Sequence, residues 1–450
     1  RGGSLSVSKS SFTNHTGLAV YNQSGPQVDA RNNWWGSSHG PKDISNPNPT
    51  GSGDKIQGDV NYTPFLTSWP PSTEKVINPV IIVPGIMGSD YAPLSKKLVI
   101  DPILHTYDNL IATLEVNGYV ENESLFTFPY EWRDSNVITA NILKDKITSV
   151  IQECVAAAPE NIDCSKVDLV AHSMGGLVAR EYIQSGQYKN NVDQLIFLGT
   201  PHKGAPKIYS IFEAGEFAPG IRESLIKIKF TAEALHNFYP SLFEYIKERP
   251  IPSIQELLPV FNYLKEKDSG ILRVYPNNYP KNIFLEALNL NTPKLLNSGV
   301  KIINIVGDID GSTTGIVYVT NSSFPKWEHG KEEGFDYIDG DNTVTKNSAT
   351  LENIKNIEKP GKDHSEIVTA AAEDIVKILT GKNSLQNIDR GIIRNMLVIH
   401  LYSPIDMLIT APDGKKIGKH FDTGEIYNEI PLAFYSGYQT ENEFITIPNP

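Results

Sequence analysis

No stretch of the 450-residue chain reaches the ~18 consecutive apolar residues that a membrane-spanning helix needs. The longest apolar run, around Val80 to Met87, is interrupted by Pro84 and Gly85. No long Lys/Arg run occurs either. With 40 basic against 52 acidic residues the formal net charge is -12, which argues against nucleic acid as a main partner and gives no help toward anionic membranes. There are only two cysteines, Cys154 and Cys164. Their spacing fits neither a zinc site nor a redox C-x-x-C motif, and a small disulfide loop and two free thiols both remain open. The chain opens on Arg1-Gly2-Gly3-Ser4, with no initiator Met and no apolar signal-peptide core. What is present is ordinary for a folded protein: 40% hydrophobic and 20% charged residues exclude global disorder. At roughly 150 residues per domain, two or three domains are expected.

Residues 1–69 differ from the rest. They are rich in Ser, Asn and Gly, with short apolar runs such as Leu18-Ala19-Val20 and dense turn signals. Val28 to Pro41 (VDARNNWWGSSHGP) followed by Gly51 to Leu66 (GSGDKIQGDVNYTPFL) resembles the closing segment of right-handed parallel β-helix proteins. In that resemblance Asn side chains stack in ladders and the Trp pair covers the open end of the core. A solenoid needs at least ~3 repeats and only one or two rungs are present, so a longer chain is expected to precede Arg1. Pro70-Pro71-Ser72-Thr73, within residues 70–75, reads as a linker.

From Val76 onward, apolar runs at Val80 to Val83, Val167 to Ala171, Leu195 to Leu198 and Ile302 to Val306 alternate with helical segments. This predicts an α/β domain over 76–382, with a parallel sheet covered on both faces. A last helix is predicted after Asp363, with Glu366 three residues on. Ile367, Val368, Ala371, Ile375, Ile378 and Leu379 recur at helical spacing, and Gly381 ends it. Residues 383–450 read as a small all-β module, with a Pro412-Asp413-Gly414 turn between strands.

The strongest chemical signal is Val167 to Ile183 (VDLVAHSMGGLVAREYI), where a strand runs into Ala171-His172-Ser173-Met174-Gly175 and a helix follows. A sharp strand-to-helix turn of small residues exposes a nucleophilic hydroxyl above a sheet. Such a Ser needs an acid and then a His later in the chain. Phe335 to Ala349 carries Asp339 and Asp341, and His364 precedes the last helix. The two aspartates are two residues apart, so spacing alone does not choose between them. Oxyanion donors are expected from the Met174 amide and from the loop after the first core strand, where Gly85 turns the backbone and Ile86 offers its N–H. This chemistry needs neither cofactor nor metal. Asp308 to Ser312 is similar to a calcium loop, but its Gly is misplaced and no Glu follows where one is required.

PGIMGS, FPYEWR, AHSMGG, LGTPHKG, PSIQELLP and DGDNTV follow one another in order. Together they resemble the lecithin:cholesterol acyltransferase family over roughly residues 76–381. The resemblance implies an α/β-hydrolase fold, a lipid acyl-ester substrate and helical cap segments. It assigns Ser173 as nucleophile, Asp341 as acid, His364 as base, and Ile86 and Met174 as oxyanion donors. Asp341-Asn342-Thr343-Val344 matches the family's Asp-Gly-Thr-Val in register, with Asn342 replacing Gly. The family's eukaryotic members carry a disulfide-bounded lid for which this chain has no cysteines. Residues 203–300 form the expected cap, with helix-like stretches near Glu213 to Phe238 and Ser241 to Lys267 whose many aromatics suit an acyl pocket. Arg133 is expected to order this cap through an ion pair. The expected setting is secreted or surface-displayed, with peripheral contact to a lipid surface. The competing expectations are a small-ester or carbohydrate esterase, which the β-helix remnant motivates, and a non-catalytic surface scaffold.

Overall fold

The computed structural model describes residues 5–45, 51–69, 77–92, 97–157, 161–218, 221–248, 251–391, 393, 395–402, 406–437 and 442–448. The expected linker at Pro70 to Thr73 lies outside them. The chain divides into two units, Arg1–Val76 and Ile77–Pro450.

Among the described residues of the first unit every strand pairing is parallel. Leu18–Asn22 pairs with Gly53–Gly58, which also pairs with Pro41–Asp43, and Val28–Asp29 pairs with Val60–Asn61. Val28, Ala30, Trp35, Ile56 and Val60 form its small core. Of the Trp pair only Trp35 is fully buried, stacked on Phe12 at 4.6 Å. Asn33 is buried but bonds backbone instead of another Asn, donating to the Val7 and Ala30 carbonyls at 2.7 Å.

The second unit is built on a mainly parallel sheet. Its elements in chain order are β1 (Val80–Val83), α1 (Asp108–Val116), β2 (Leu125–Thr127), α2 (Asn136–Ala157), β3 (Val167–His172), α3 (Met174–Gln184) and β4 (Val192–Leu198). After the cap come β5 (Lys301–Val319), β6 (Glu332–Gly340) and β7 (Lys355–Pro360). The parallel order is β2-β1-β3-β4-β5-β7. Alternate residues of each strand feed opposite cores. Ile81, Val83, Leu169, Ala171, Leu195 and Phe197 join one cluster, and Val80, Ile82, Val170, Ile196, Leu198 and Ile305 the other. Both faces are apolar because helices cover both, so the strands read as continuous apolar runs rather than alternating ones. Because β1 lies between β2 and β3, the chain leaves the strand ends in opposite directions there. That opens a crevice at the C-terminal edge of the sheet.

Helices α4 (Ile208–Ala214), α5 (Ile221–His236) and α6 (Leu242–Lys247) follow β4. The helix expected over Ser241 to Lys267 is broken: Pro252 starts a separate turn, Pro252–Gln255, and Leu264–Glu266 is a strand parallel to the far end of β5. Pro259 lies between them and cannot continue a helix. The end of the expected cap range also differs. Helices α7 (Ile283–Leu290) and α8 (Thr292–Leu296) send Leu285, Leu288 and Leu295 into the sheet core beside α3. Beyond residue 308, β5 runs past the sheet as an arm paired antiparallel with β6.

The last helix bends at Ala371 into α9 (Glu366–Ala370) and α10 (Ala372–Thr380). Its start is a reciprocal cap. Asp363 Oδ1 accepts the Glu366 N–H at 2.8 Å, and Glu366 Oε2 accepts the Asp363 N–H at 3.4 Å. Gly381 ends it in the left-handed region at φ 74°. The following segment is held along α1. Asn117 takes the Leu385 N–H at 2.6 Å, Thr113 the Ile388 N–H at 2.9 Å, and Asn109 the Arg390 N–H at 3.2 Å. Residues 396–448 then contribute two 3-stranded sheets, with Gly414 at φ 87° in the turn between Leu408–Thr410 and Lys416–Lys419.

Candidate active site

Strand β3 ends at His172, and the next residue turns sharply into α3. Ser173 sits at φ 54° and ψ -127°, a conformation costly for a residue with a Cβ. The turn is held because the Ser173 N–H donates to the Leu198 carbonyl at 2.8 Å. It is possible because its neighbours are small. A Cβ on Gly175 would meet the Pro84 oxygen at 2.4 Å, and one on Gly176 would meet Thr200 Oγ1 at 2.0 Å. Ala171, where the usual motif has Gly, lies inside β3 opposite Phe197 and Val83 and needs no such freedom.

Ser173 Oγ lies 2.8 Å from His364 Nε2, and His364 Nδ1 lies 2.7 Å from Asp341 Oδ2. All three residues are at least nine-tenths buried. The other carboxylate oxygen, Oδ1, accepts the Thr343 and Val344 N–H groups at 3.1 and 2.7 Å. Asn342, the residue in the Gly place, sits at φ 66°. Asp339 is exposed and accepts the Gly311 N–H at 3.0 Å, on the arm rather than at His364. With Asp308 and Asp310 it forms an acidic group whose ligand atoms lie within 4.8 Å of one another. Lys346 answers this group with a 2.8 Å ion pair to Asp308.

Ile86 and Met174 both flank Ser173. Met174 opens α3, so its N–H has no partner within the helix. Ile86 lines the same cavity as Ser173 and His364. The loop carrying Ile86 approaches closely because Gly85 lacks a side chain: a Cβ there would stand 2.7 Å from Ser173 Cβ.

Four further contributors are not singled out by the sequence. Gly199, at φ 55°, leaves room where a Cβ would lie 3.0 Å from Asp341 Oδ2 and 3.2 Å from His364 Nδ1. Gly307 does the same beneath Asp341, at 2.8 Å from its Cβ. His172 and Tyr107 are buried beside the site and hydrogen-bonded to each other at 2.9 Å. Gly199 and His172 sit within short motifs already singled out, but nothing in those motifs separates a packing role from a chemical one.

The cavity above Ser173 has a volume of about 100 Å³. Met87, Leu104, Ile208, Ile211, Phe217 and Ile226 supply its apolar wall, and the last four come from residues 203–300. Ion pairs tie together the segments around it. Lys207 pairs with Glu223, Lys229 with Asp90, and Arg133 with Glu233. Arg133 also lies 4.0 Å above the Trp132 ring. Behind the site, Arg180 is wholly buried among neutral partners, and burial brings its guanidinium down to about 9. The same burial, with Arg180 alongside, holds His202 well below the usual imidazole range.

A hydroxyl bonded to an imidazole that is itself bonded to a buried carboxylate is an arrangement able to deliver an alkoxide to an acyl carbon. Residues 84–292 match the lecithin:cholesterol acyltransferase family model. The match supports the lecithin:cholesterol acyltransferase-like family for this part of the chain. Lecithin-cholesterol acyltransferase-like 4 of Arabidopsis thaliana is 25% identical over 250 residues, 51% of this chain and 45% of that protein. The phosphatidylcholine-sterol acyltransferase of Mus musculus is 26% identical over 274 residues, 60% of this chain and 59% of that protein. The chain thus spans about half the length of these acyltransferase-like relatives. The mature form of Bacillus licheniformis lipase BlEst2 superposes with a TM-score of 0.39 at 14% identity, over 69% of this chain and 95% of that one. The described residues contain no helix long and apolar enough to cross a membrane.

Proposed function

We propose that the second unit is a serine-dependent α/β-hydrolase that cleaves or transfers acyl groups of lipid-type esters. The observation that carries this reading is the continuous line from Ser173 Oγ through His364 to Asp341 at the floor of an apolar, cap-covered cavity. Ser173 attacks the ester carbonyl while His364 takes its proton, and Asp341 holds the imidazole tautomer and stabilises the imidazolium. The Ile86 and Met174 amides receive the oxyanion. His364 returns the proton to the departing alcohol, and water or a second alcohol then releases the acyl group from Ser173. The relatives named as acyltransferases support the lipid class.

The Cys154–Cys164 disulfide supports a secreted or cell-surface setting. The parallel rungs of the first unit support its reading as the end of a parallel β-helix. The two 3-stranded sheets support reading residues 383–450 as a small all-β module. Phe238 and Phe324, both highly exposed, suit peripheral contact with lipid.

The test is labelling of the intact chain by a fluorophosphonate, with Ser173→Ala as control. It is followed by a series of chromogenic esters from acetate to dodecanoate. Labelling lost in Ser173→Ala and a preference for chains of about eight carbons or more are expected, since each buried CH₂ contributes roughly 0.8 kcal/mol. Labelling that survives the substitution overturns the nucleophile. Activity that falls steadily from acetate upward favours the small-ester reading.

A further inference from the structure

The residue before the nucleophile does more than fill the core. His172 Nε2 lies 2.8 Å from the His364 carbonyl oxygen, and its Nδ1 lies 2.9 Å from the Tyr107 hydroxyl. That hydroxyl in turn accepts the Gly85 N–H at 2.9 Å. For a neutral imidazole the hydrogens of these bonds have one consistent assignment. A carbonyl only accepts, so His172 Nε2 carries a proton and donates it. In the neutral imidazole Nδ1 is then the acceptor, so the Tyr107 O–H donates to it while the phenol oxygen receives the Gly85 amide. The chain of bonds runs Gly85, Tyr107, His172, His364, through side chains that are 2% and 3% exposed at Tyr107 and His172. It joins three segments that are distant in sequence. These are the loop that bears the Ile86 amide, the segment immediately before α1 that bears Tyr107, and the loop that bears His364.

We infer that His172 and Tyr107 are positioning residues, which set the separation between the Ile86 amide and the His364 imidazole through the Gly85 N–H and the His364 carbonyl. The inference rests on the acyl-transfer reading above. Neither residue meets the reacting atoms through these bonds. Each fixes a backbone whose neighbouring group does. An oxyanion donor and a general base belong to different loops, and a shift of either one misplaces the transition state without changing how substrate is first bound. The effect therefore falls on kcat rather than KM. His172 is also the covalent neighbour of Ser173, so one imidazole references the nucleophile, the base and the oxyanion loop to one another.

The experiment compares wild type, Tyr107→Phe, His172→Ala and His172→Gln by hydrolysis of one chromogenic ester, by the rate of fluorophosphonate labelling and by thermal melting. Tyr107→Phe removes a single oxygen. It is expected to lower kcat and the labelling rate about tenfold, with KM within about twofold, a fraction of what losing a whole oxyanion donor costs. His172→Ala should lose about 10²-fold, the scale of an ångström-sized misplacement. His172→Gln, whose amide can still donate to the His364 carbonyl, should recover part of that loss. Tyr107→Phe and His172→Gln with kcat within twofold of wild type, or with losses confined to melting temperature, would overturn the inference while leaving the nucleophile reading intact. A wild-type chain that neither labels nor hydrolyses any ester overturns the acyl-transfer reading, and this inference with it.

Discussion

Asp341 holds His364 at two points: its Oδ2 lies 2.7 Å from the ring Nδ1, and its backbone carbonyl accepts the His364 N–H at 2.8 Å. The second bond is independent of the carboxylate, so removing the charge should leave the loop in place. Asp341→Asn is expected to fold and to lose about 10³ to 10⁴ in kcat, the scale of a His held in the wrong tautomer. Asp339→Asn removes a charge on the arm, where the amide oxygen can still accept the Gly311 N–H, and should cost less than about tenfold. Both variants measured with one chromogenic ester decide between the two aspartates, and a larger loss for Asp339→Asn would contradict the assignment.

Gly85→Ala places a methyl 2.7 Å from Ser173 Cβ, closer than real Cβ atoms come to one another. Either the Ile86 loop or the Ser173 turn must retreat. About 10²-fold lower kcat is expected, because an ångström of displacement is enough to spoil an oxyanion site. Steady-state kinetics at unchanged fold, judged by circular dichroism, check this, and near-wild-type turnover would show that the loop is more pliant than its packing implies.

A cavity of about 100 Å³ is well below the roughly 300–1,000 Å³ of ligand pockets, so a long acyl chain enters only when the cap shifts. Loosening the cap should therefore favour long substrates selectively. Lys229→Met removes the pair that ties α5 to Asp90 in the segment after β1. With the pair gone, kcat/KM for dodecanoate should rise about three- to fivefold while acetate stays within about twofold. Equal changes for both esters would show that the cap does not gate chain length.

Burial pushes the Asp168 carboxyl up to about 6, against the opposing hydrogen bonds from Asn78 and Gln194. A carboxyl raised on folding binds its proton more tightly in the native state. Its contribution to stability is full below about pH 4 and is lost as pH rises through about 6. The swing is on the order of 3 kcal/mol, at 1.36 kcal/mol for each unit. The melting temperature of Asp168→Asn minus that of wild type should thus become more positive between pH 4 and pH 7. A difference that stays flat across that range would place the Asp168 titration in the ordinary carboxylate range.

Which parts were legible in advance follows from how local their causes are. The strands of the sheet could be read because burial on both faces leaves no polar residue to break an apolar run, as in Val80 to Val83. Ser173 could be singled out because the strained turn demands Gly175 and Gly176 beside it. Tyr107 could not, since it meets His172 across 65 residues of sequence and nothing around it marks that encounter. The length of β5 was hidden too. Asp308 to Ser312 is similar to a calcium loop, yet pairing with β6 holds the stretch extended to Val319. Tertiary pairing overrides local preference there. The cap helices were misread where Pro252 and Pro259 cut a stretch whose apolar spacing alone suggested continuity.

The segment after Gly381 deserves a different description from that of a connector. A free linker would let the strands beyond residue 396 sample a volume set by its length, at an effective concentration in the millimolar range. This one is fastened to Asn117, Thr113 and Asn109 in turn, so it contributes almost no slack. Beyond it, His105 Nε2 meets the Leu432 carbonyl at 3.2 Å, two residues before Tyr107. A neighbour held that way behaves as a permanent ligand of the loop it touches, its occupancy fixed by the chain rather than by concentration.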